Sequence, residues 1–174
     1  MDASDINLQS VKRIPYLFAA INEALRLFAP LPGSLRRITP PEGCIVSGIY
    51  IPGNTVVAVN SYAASHSTSN FHEPERFIPE RWLSAEDLLS MSLNVNVAQF
   101  AGDMKRVVQP FGMGPRNCIG KNLAMAEMSM LVARLLWEFD IELQTESERW
   151  LDGMKVYTFY QRPPLMCRFK PANR

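Results

Sequence analysis

Phe111-Gly112-Met113-Gly114-Pro115-Arg116-Asn117-Cys118-Ile119-Gly120 packs three glycines, a proline and a cysteine into ten residues. Glycine accepts positive φ and close backbone approach, so a segment of this composition is a tightly turned loop. It runs into residues 119–138, where Ile119, Leu123, Ala126, Met130, Ala133 and Trp137 recur at alternating steps of four and three, the spacing of one helix face. Cys118 therefore stands at or just before a helix N-terminus, where unpaired N–H groups and the positive end of the dipole attract an anionic sulfur. Arg116 adds a nearby cation.

A lone cysteine is most often a small buried hydrophobe, but the flanking glycines and Arg116 point to a sulfur that either attacks or ligates. A nucleophile needs a base, and the only two histidines, His66 and His72, lie in a loop far upstream. A ligand needs only one thiolate if a macrocycle supplies the other donors, as in haem held by cysteine.

The remainder of the chain sets limits. With 174 residues, 47% of them hydrophobic, it has enough apolar mass for one folded unit. Eighteen Lys and Arg against seventeen Asp and Glu leave a net charge of +1, which gives no field for nucleic acid or an anionic surface. Cys44, Cys118 and Cys167 are too few and too scattered for a disulfide framework or a zinc site, which favours a reducing compartment. Residues 1–13 are polar and unlike a signal peptide, and no window holds 18 uninterrupted apolar residues.

Residues 14–29 read as a helix, with Pro15 in its first turn, Leu17, Ile21, Ala24, Leu25 and Phe28 at helical spacing, and Pro30, Pro32 and Gly33 behind it. Strands are expected at 35–39, 155–160 and 165–169, the last two separated by Pro163-Pro164. Residues 44–51 and 55–62 should form a hairpin across Pro52-Gly53-Asn54 in a type II turn. Residues 65–70 are a polar loop or short helix, and 71–110 an irregular connection of unusual length. The fold class is α+β.

The pattern FxxGxRxCxG, met at Phe111, Gly114, Arg116, Cys118 and Gly120, resembles the haem-binding loop of the cytochrome P450 family. Two more segments extend the resemblance. Glu23-Ala24-Leu25-Arg26 places an acid and a base one helical turn apart. Glu73-Pro74-Glu75-Arg76 and Glu146-Ser147-Glu148-Arg149 match ExxR as literally, but only the first lies on an apolar helix closed by proline, as the family's K helix does. Phe77-Ile78-Pro79-Glu80-Arg81-Trp82 fits the family's aromatic-Pro-Glu-Arg motif better than Pro74-Glu75-Arg76-Phe77, so Arg81 rather than Arg76 is expected to join Glu23 and Arg26 in a buried Glu-Arg-Arg cluster that locks the meander. The runs at 79–83 and 115–124 are most similar to fungal secondary-metabolite members such as trichothecene (isotrichodermin) hydroxylases.

The resemblance implies one partial domain over residues 1–174, the C-terminal part of a mostly helical fold: K helix, small β-sheets, meander, Cys loop, L helix and terminal β-hairpin. It implies haem b with Cys118 as axial ligand, Phe111 beside the sulfur, Arg116 on a propionate, and Gly114 and Gly120 permitting the loop's turn and its approach to the ring. Arg37 would be a second propionate partner, a role open to Arg36 as well. Lys121, Lys105 and Arg106 would offer a basic face to an NADPH–cytochrome P450 reductase. Residues 31–35 and 156–165 would line the distal pocket for a small apolar organic substrate. The implied activity is haem-thiolate monooxygenation in a parent held by an N-terminal anchor on the cytosolic face of the endoplasmic reticulum. The chain alone carries no such anchor and would be cytosolic. The alternative is a truncated haem-binding or inert fragment without turnover. Ala101-Gly102-Asp103-Met104-Lys105 imitates the family's oxygen-activating acid-Thr helix but has no Thr after the acid, so it is not assigned that role.

Overall fold

Helix α2 (Pro15–Leu27) starts where Pro15 occupies the first turn, whose N–H has no intrahelical partner in any case. A four-residue helix, α1 (Leu8–Val11), precedes it, and Asn7 caps α1 by accepting from Gln9 and Ser10 N–H. The computed structural model describes residues 5–157 and 159–173. The first four residues of the polar leader and Thr158, within the strand expected at 155–160, lie outside the described residues.

Two faces of α2 are buried. Leu17, Ile21 and Leu25 join Ile6 and Val11 in one apolar cluster. Helix α5 (Lys121–Glu138) closes that cluster with Met125, Met128, Met130, Val132, Ala133 and Trp137, and Phe111 enters from the Cys loop. On its other side α2 presents Ala19 to Leu83 and Leu88, the latter in α4 (Ala85–Ser90). Within the helical stripe read from the sequence, Ala24 is instead exposed, while Glu23 and Arg26 are buried. The apolar face expected on α5 is likewise split: Met130, Ala133 and Trp137 pack inward, whereas Leu123 is exposed, as is Ile119 just before the helix.

Among the described residues the strands form four antiparallel two-stranded ladders. β1 (Arg37–Ile38) pairs with β4 (Val56–Val57), and β2 (Cys44–Val46) pairs with β3 (Ile49–Ile51). The hairpin expected at Pro52-Gly53-Asn54 is thus displaced to Ser47-Gly48. Those two residues have φ of 51° and 81°, the paired left-handed geometry whose twist matches that of the flanking strands. At 52–54 it is Asn54, with φ 57°, that turns left-handed, so the type II turn with Gly53 at its left-handed position does not form. Thr39 holds this turn, donating to Pro52 O (2.7 Å) and accepting from Thr55 N (2.9 Å). Gly53 is needed for space: a Cβ there would overlap the Pro41 carbonyl oxygen, a backbone atom that cannot step aside. Gly53→Ala should cost about 1–3 kcal/mol in urea unfolding. Gly33→Ala, where a Cβ meets nothing within 4 Å, should be neutral or slightly stabilising. Equal behaviour of the two variants would contradict this packing.

α3 (Ser61–Ser65) is capped by Asn60. One strand was not anticipated, and the strand expected at 165–169 lies two residues later. β5 (Phe139–Leu143) follows α5 directly and pairs with β8 (Cys167–Pro171), with Phe139 edge-on to Phe169 at 5.7 Å. β6 (Lys155–Val156) and β7 (Tyr160–Gln161) form the terminal hairpin. Residues 155–160 are therefore not one strand. All three cysteines are free, Cys44 and Cys167 half-buried and Cys118 exposed. No helix among the described residues is long and apolar enough to cross a membrane.

Candidate functional site: a buried charge hub and an exposed cysteine loop

Glu23 accepts five hydrogen bonds on its one carboxylate. Arg26 gives two in bidentate fashion (Nε to Oε2 and Nη2 to Oε1, both 2.9 Å). Ile78 N–H (2.9 Å) and Arg81 Nε (3.1 Å) share Oε1, and Trp82 Nε1 reaches Oε2 at 2.8 Å. The 3₁₀ turn Pro79–Trp82 and Ile78, which caps it, thus deliver three donors to α2. Arg26 spends its other donors on the carbonyls of Ser65 and Pro74 (2.7 Å each) and Arg76 (3.0 Å). All five of its N–H groups are then satisfied. Arg81 also donates to His72 O at 3.0 Å and pairs through Nη1 with Asp103 Oδ2. Both guanidiniums lie over Phe71 (5.0 and 5.7 Å to the ring centre), and Arg81 also lies over Phe100 at 5.1 Å.

The relative exposures of Glu23, Arg26 and Arg81 are 0%, 1% and 1%. Such a cluster survives in the interior because each charge is paired and each lone pair is used. Arg76 stands apart: its side chain is 67% exposed and, among the described residues, bonded only to Glu73. The third ExxR match is also a surface feature, with Arg149 bonded to Asp152. Sequence reasoning did not foresee Asp103, Trp82, Phe71 or Phe100 in the hub.

Burial pushes the Glu23 carboxyl up, but the bonds from Arg26, Ile78 and Trp82 and the Arg26 charge outweigh it and hold the group below the usual carboxylate range. The unfolded chain, with an ordinary carboxyl near 4.3, therefore binds a proton before the folded one does. Glu23's contribution is fully present above that unfolded value and is lost as pH falls through the folded one. Urea-derived stability should show no Glu23-linked change from pH 7 to 5, then decline below about pH 4. A stability that rises on acidification below pH 4 would contradict the assignment.

The Cys loop is built by backbone. Gly112 and Gly114 have φ of 73° and 72°, and residues Gly114–Arg116 make a 3₁₀ turn closed by Asn117 N–H on Gly114 O (3.1 Å). Cys118 N–H donates to Phe111 O at 2.8 Å, which ties the loop's two ends together. Phe111 itself packs into the core beside α2. Gly120, with φ −83°, has an ordinary backbone conformation, so the turn does not require a glycine there. What its missing side chain leaves is room beside the sulfur, since a Cβ would stand 3.8 Å from Cys118 Sγ. Gly112, rather than Gly120, is the second left-handed glycine of the loop.

Cys118 is exposed, and its side chain has no hydrogen-bond or ion-pair partner among the described residues. His66 stacks on Tyr62 at 3.9 Å, and His72 lies against Phe100. Among the described residues no three His, Cys, Asp or Glu side chains group to hold a metal ion. Two open depressions complete the region. Arg36, Arg37 and Arg116 line one of about 400 Å³ with Ile38 and Val56. Leu31, Gly33, Ser34, Leu35, Arg36 and Tyr157 line another of about 500 Å³.

The chain thus joins a buried Glu-Arg-Arg hub on α2 to an exposed cysteine loop at the head of the long helix α5. The Cytochrome P450 family profile matches residues 1–166, and the chain belongs to that family. It is similar to Cytochrome P450 monooxygenase aba2 of Botryotinia fuckeliana, 42% identical over 98% of this chain and 32% of the relative. It is also similar to Fusicoccadiene 8-ol C-16-hydroxylase of Phomopsis amygdali (43% identical; 95% of this chain, 29% of the relative). Averantin hydroxylase of Dothistroma septosporum is 42% identical over 99% of this chain and 31% of its own length. The chain thus spans about a third of the length of the curated relatives it matches. The fold class is that of the C-terminal part of the family, which works with haem and reductase-derived electrons.

Proposed function

We propose that this chain is the haem-holding segment of a monooxygenase that inserts one oxygen atom from O₂ into a small apolar organic substrate. The observation that carries the reading is Cys118, exposed and unpartnered on a loop whose ends are tied at Phe111 and whose flank is lined by arginines. The residues fit haem b. A disc with an apolar body and two carboxylates needs a single thiolate, room beside the sulfur, and cations next to apolar surface. Cys118, the space at Gly120, and Arg37 and Arg116 beside Ile38 and Val56 supply these. Arg36 shares that depression and is an equal candidate for a propionate.

Haem, when bound through a thiolate, supplies electron-rich iron suited to O–O cleavage. The chain's own residues do the rest. Cys118 donates its sulfur. The N–H groups of Ile119 and Gly120 have no acceptor among the described residues and are available to that sulfur, where a hydrogen bond tunes the ligand. Phe111 closes the core behind the loop and excludes water. Segments 31–35 and 156–165 both contribute to the 500 Å³ depression, where Leu31, Leu35 and Tyr157 offer apolar contacts to a substrate and Ser34 and Arg36 make the remainder of the lining polar.

Electrons from NADPH arrive through a cytochrome P450 reductase, for which the exposed Lys105, Arg106 and Lys121 offer cations. We propose further that the parent protein works at the endoplasmic reticulum membrane, facing the cytosol. The second reading, a haem-binding or inert segment without turnover, draws support from the exposed Leu123, Leu131 and Leu135 on α5.

The test is addition of haemin to the chain, followed by reduction and carbon monoxide. A red-shifted, thiolate-type Soret band is expected. Absence of haem uptake would leave the inert reading, and uptake without that band would remove the thiolate.

A further inference from the structure

We propose that Asp103 is a positioning residue for the Cys118 loop: it completes the hub as a fourth, charge-balancing member and fastens to it the strand of backbone that leads into the loop. Its side chain is 2% exposed. Both of its oxygens accept. Oδ2 takes Arg81 Nη1, and Oδ1 takes His72 N–H at 2.7 Å. With Asp103 ionised the buried set is two carboxylates and two guanidiniums, net zero. Without it, Glu23 alone faces Arg26 and Arg81, and one cationic charge is left uncompensated in a site that excludes water.

The same residue is stitched by backbone. Asp103 N–H donates to Phe100 O (3.0 Å), Lys105 N–H to Asp103 O (3.0 Å), and Met104 N–H to Asn70 O (2.7 Å). The first two shape the local turn, and the third, with His72 N–H on Asp103 Oδ1, fixes residues 103–104 against residues 70–72. Residues 109–118 then close on themselves through Gly112 N–H to Gln109 O and Cys118 N–H to Phe111 O. A shift at Asp103 is therefore passed to the loop, while α2 keeps its own bonds to Glu23. That the loop is placed by Asp103 stands on this geometry; the consequence for haem rests on the proposed function.

Asparagine is a demanding replacement. It has one acceptor oxygen and one NH₂, so one of two donors, Arg81 Nη1 or His72 N–H, would meet another donor. Glutamate keeps both acceptors and the charge on a longer stem. The measurement is amide hydrogen exchange on the full chain, without and with haemin. In Asp103→Asn, exchange at Met104 and Cys118 should quicken by roughly tenfold or more while α2 amides change little. Asp103→Glu should recover at least part of that protection. Equal acceleration in α2 and in the loop would reduce Asp103 to general scaffold and overturn the proposal, as would no change at Cys118. If Asp103→Asn does not fold, Asp103→Glu decides: loss confined to 100–118 supports the role, and loss across α2 refutes it. The haemin-free arm reads the loop whether or not haem binds. Failure of haem uptake with the local exchange pattern intact therefore counts against the proposed function alone.

Discussion

Cys118→Ser is expected to abolish the thiolate-type Soret band of the reduced carbon monoxide complex while leaving the fold in place. The side chain is exposed and makes no packing contact that the smaller oxygen would forfeit in the core. The loop's closure depends on Cys118 N–H, a backbone donor that serine retains. Stability should therefore move by less than about 0.5 kcal/mol, the usual range for an exposed site. The spectroscopic loss should be complete, because a hydroxyl does not replace a thiolate as a soft, electron-releasing ligand. Cys44→Ser and Cys167→Ser are the controls, since both residues sit half-buried on strands outside the loop. Persistence of the band in Cys118→Ser, or its loss in either control, would move the ligand away from Cys118.

Arg81→Ala should be strongly destabilising, at about 3–5 kcal/mol, the range for removing one partner of a buried ion pair. It strips a donor from Glu23, frees Asp103 and leaves His72 O without its guanidinium. It also removes the cation packed over Phe71 and Phe100. Arg76→Ala, one motif repeat earlier, loses an exposed pair with Glu73 and should leave stability nearly unchanged. The contact that Arg76 makes with the hub is through its carbonyl, which accepts from Arg26 and survives the substitution. Urea unfolding of the two variants, with haem retention measured alongside, separates them. Equal losses would mean that the second Pro-Glu-Arg unit holds no privileged place.

The two halves of this site were unequally visible in the chain. Phe111, Gly114, Arg116, Cys118 and Gly120 lie within ten residues, and their order reports a loop directly. Glu23 and Arg26 are one helical turn apart, so their pairing follows from helix geometry alone. The strand β5 was legible too, since Phe139-Asp140-Ile141-Glu142-Leu143 alternates apolar and charged residues, but expectation ended with the helix at 138. The hairpin was misplaced because Pro-Gly outranks Ser-Gly as a turn signal in isolation. In the fold, the 52–54 turn is instead claimed by Thr39, thirteen residues away from Pro52.

What the sequence by itself determined is therefore local: the cysteine loop, the two long helices, the mixed α and β character and the acid–base turn on α2. The choice of Arg81 over Arg76 came from the motif resemblance; only the tertiary structure decided that Asp103 balances the hub, that Trp82 donates to Glu23, and that Arg36, Arg37 and Arg116 face one depression. The physical reason is distance along the chain. Local spacing governs groups three or four residues apart, whereas Arg81 meets Glu23 across 58 residues and Asp103 across 22. Partners that remote are chosen by which charges the packed helices leave without water, and that is settled only when the meander folds over α2.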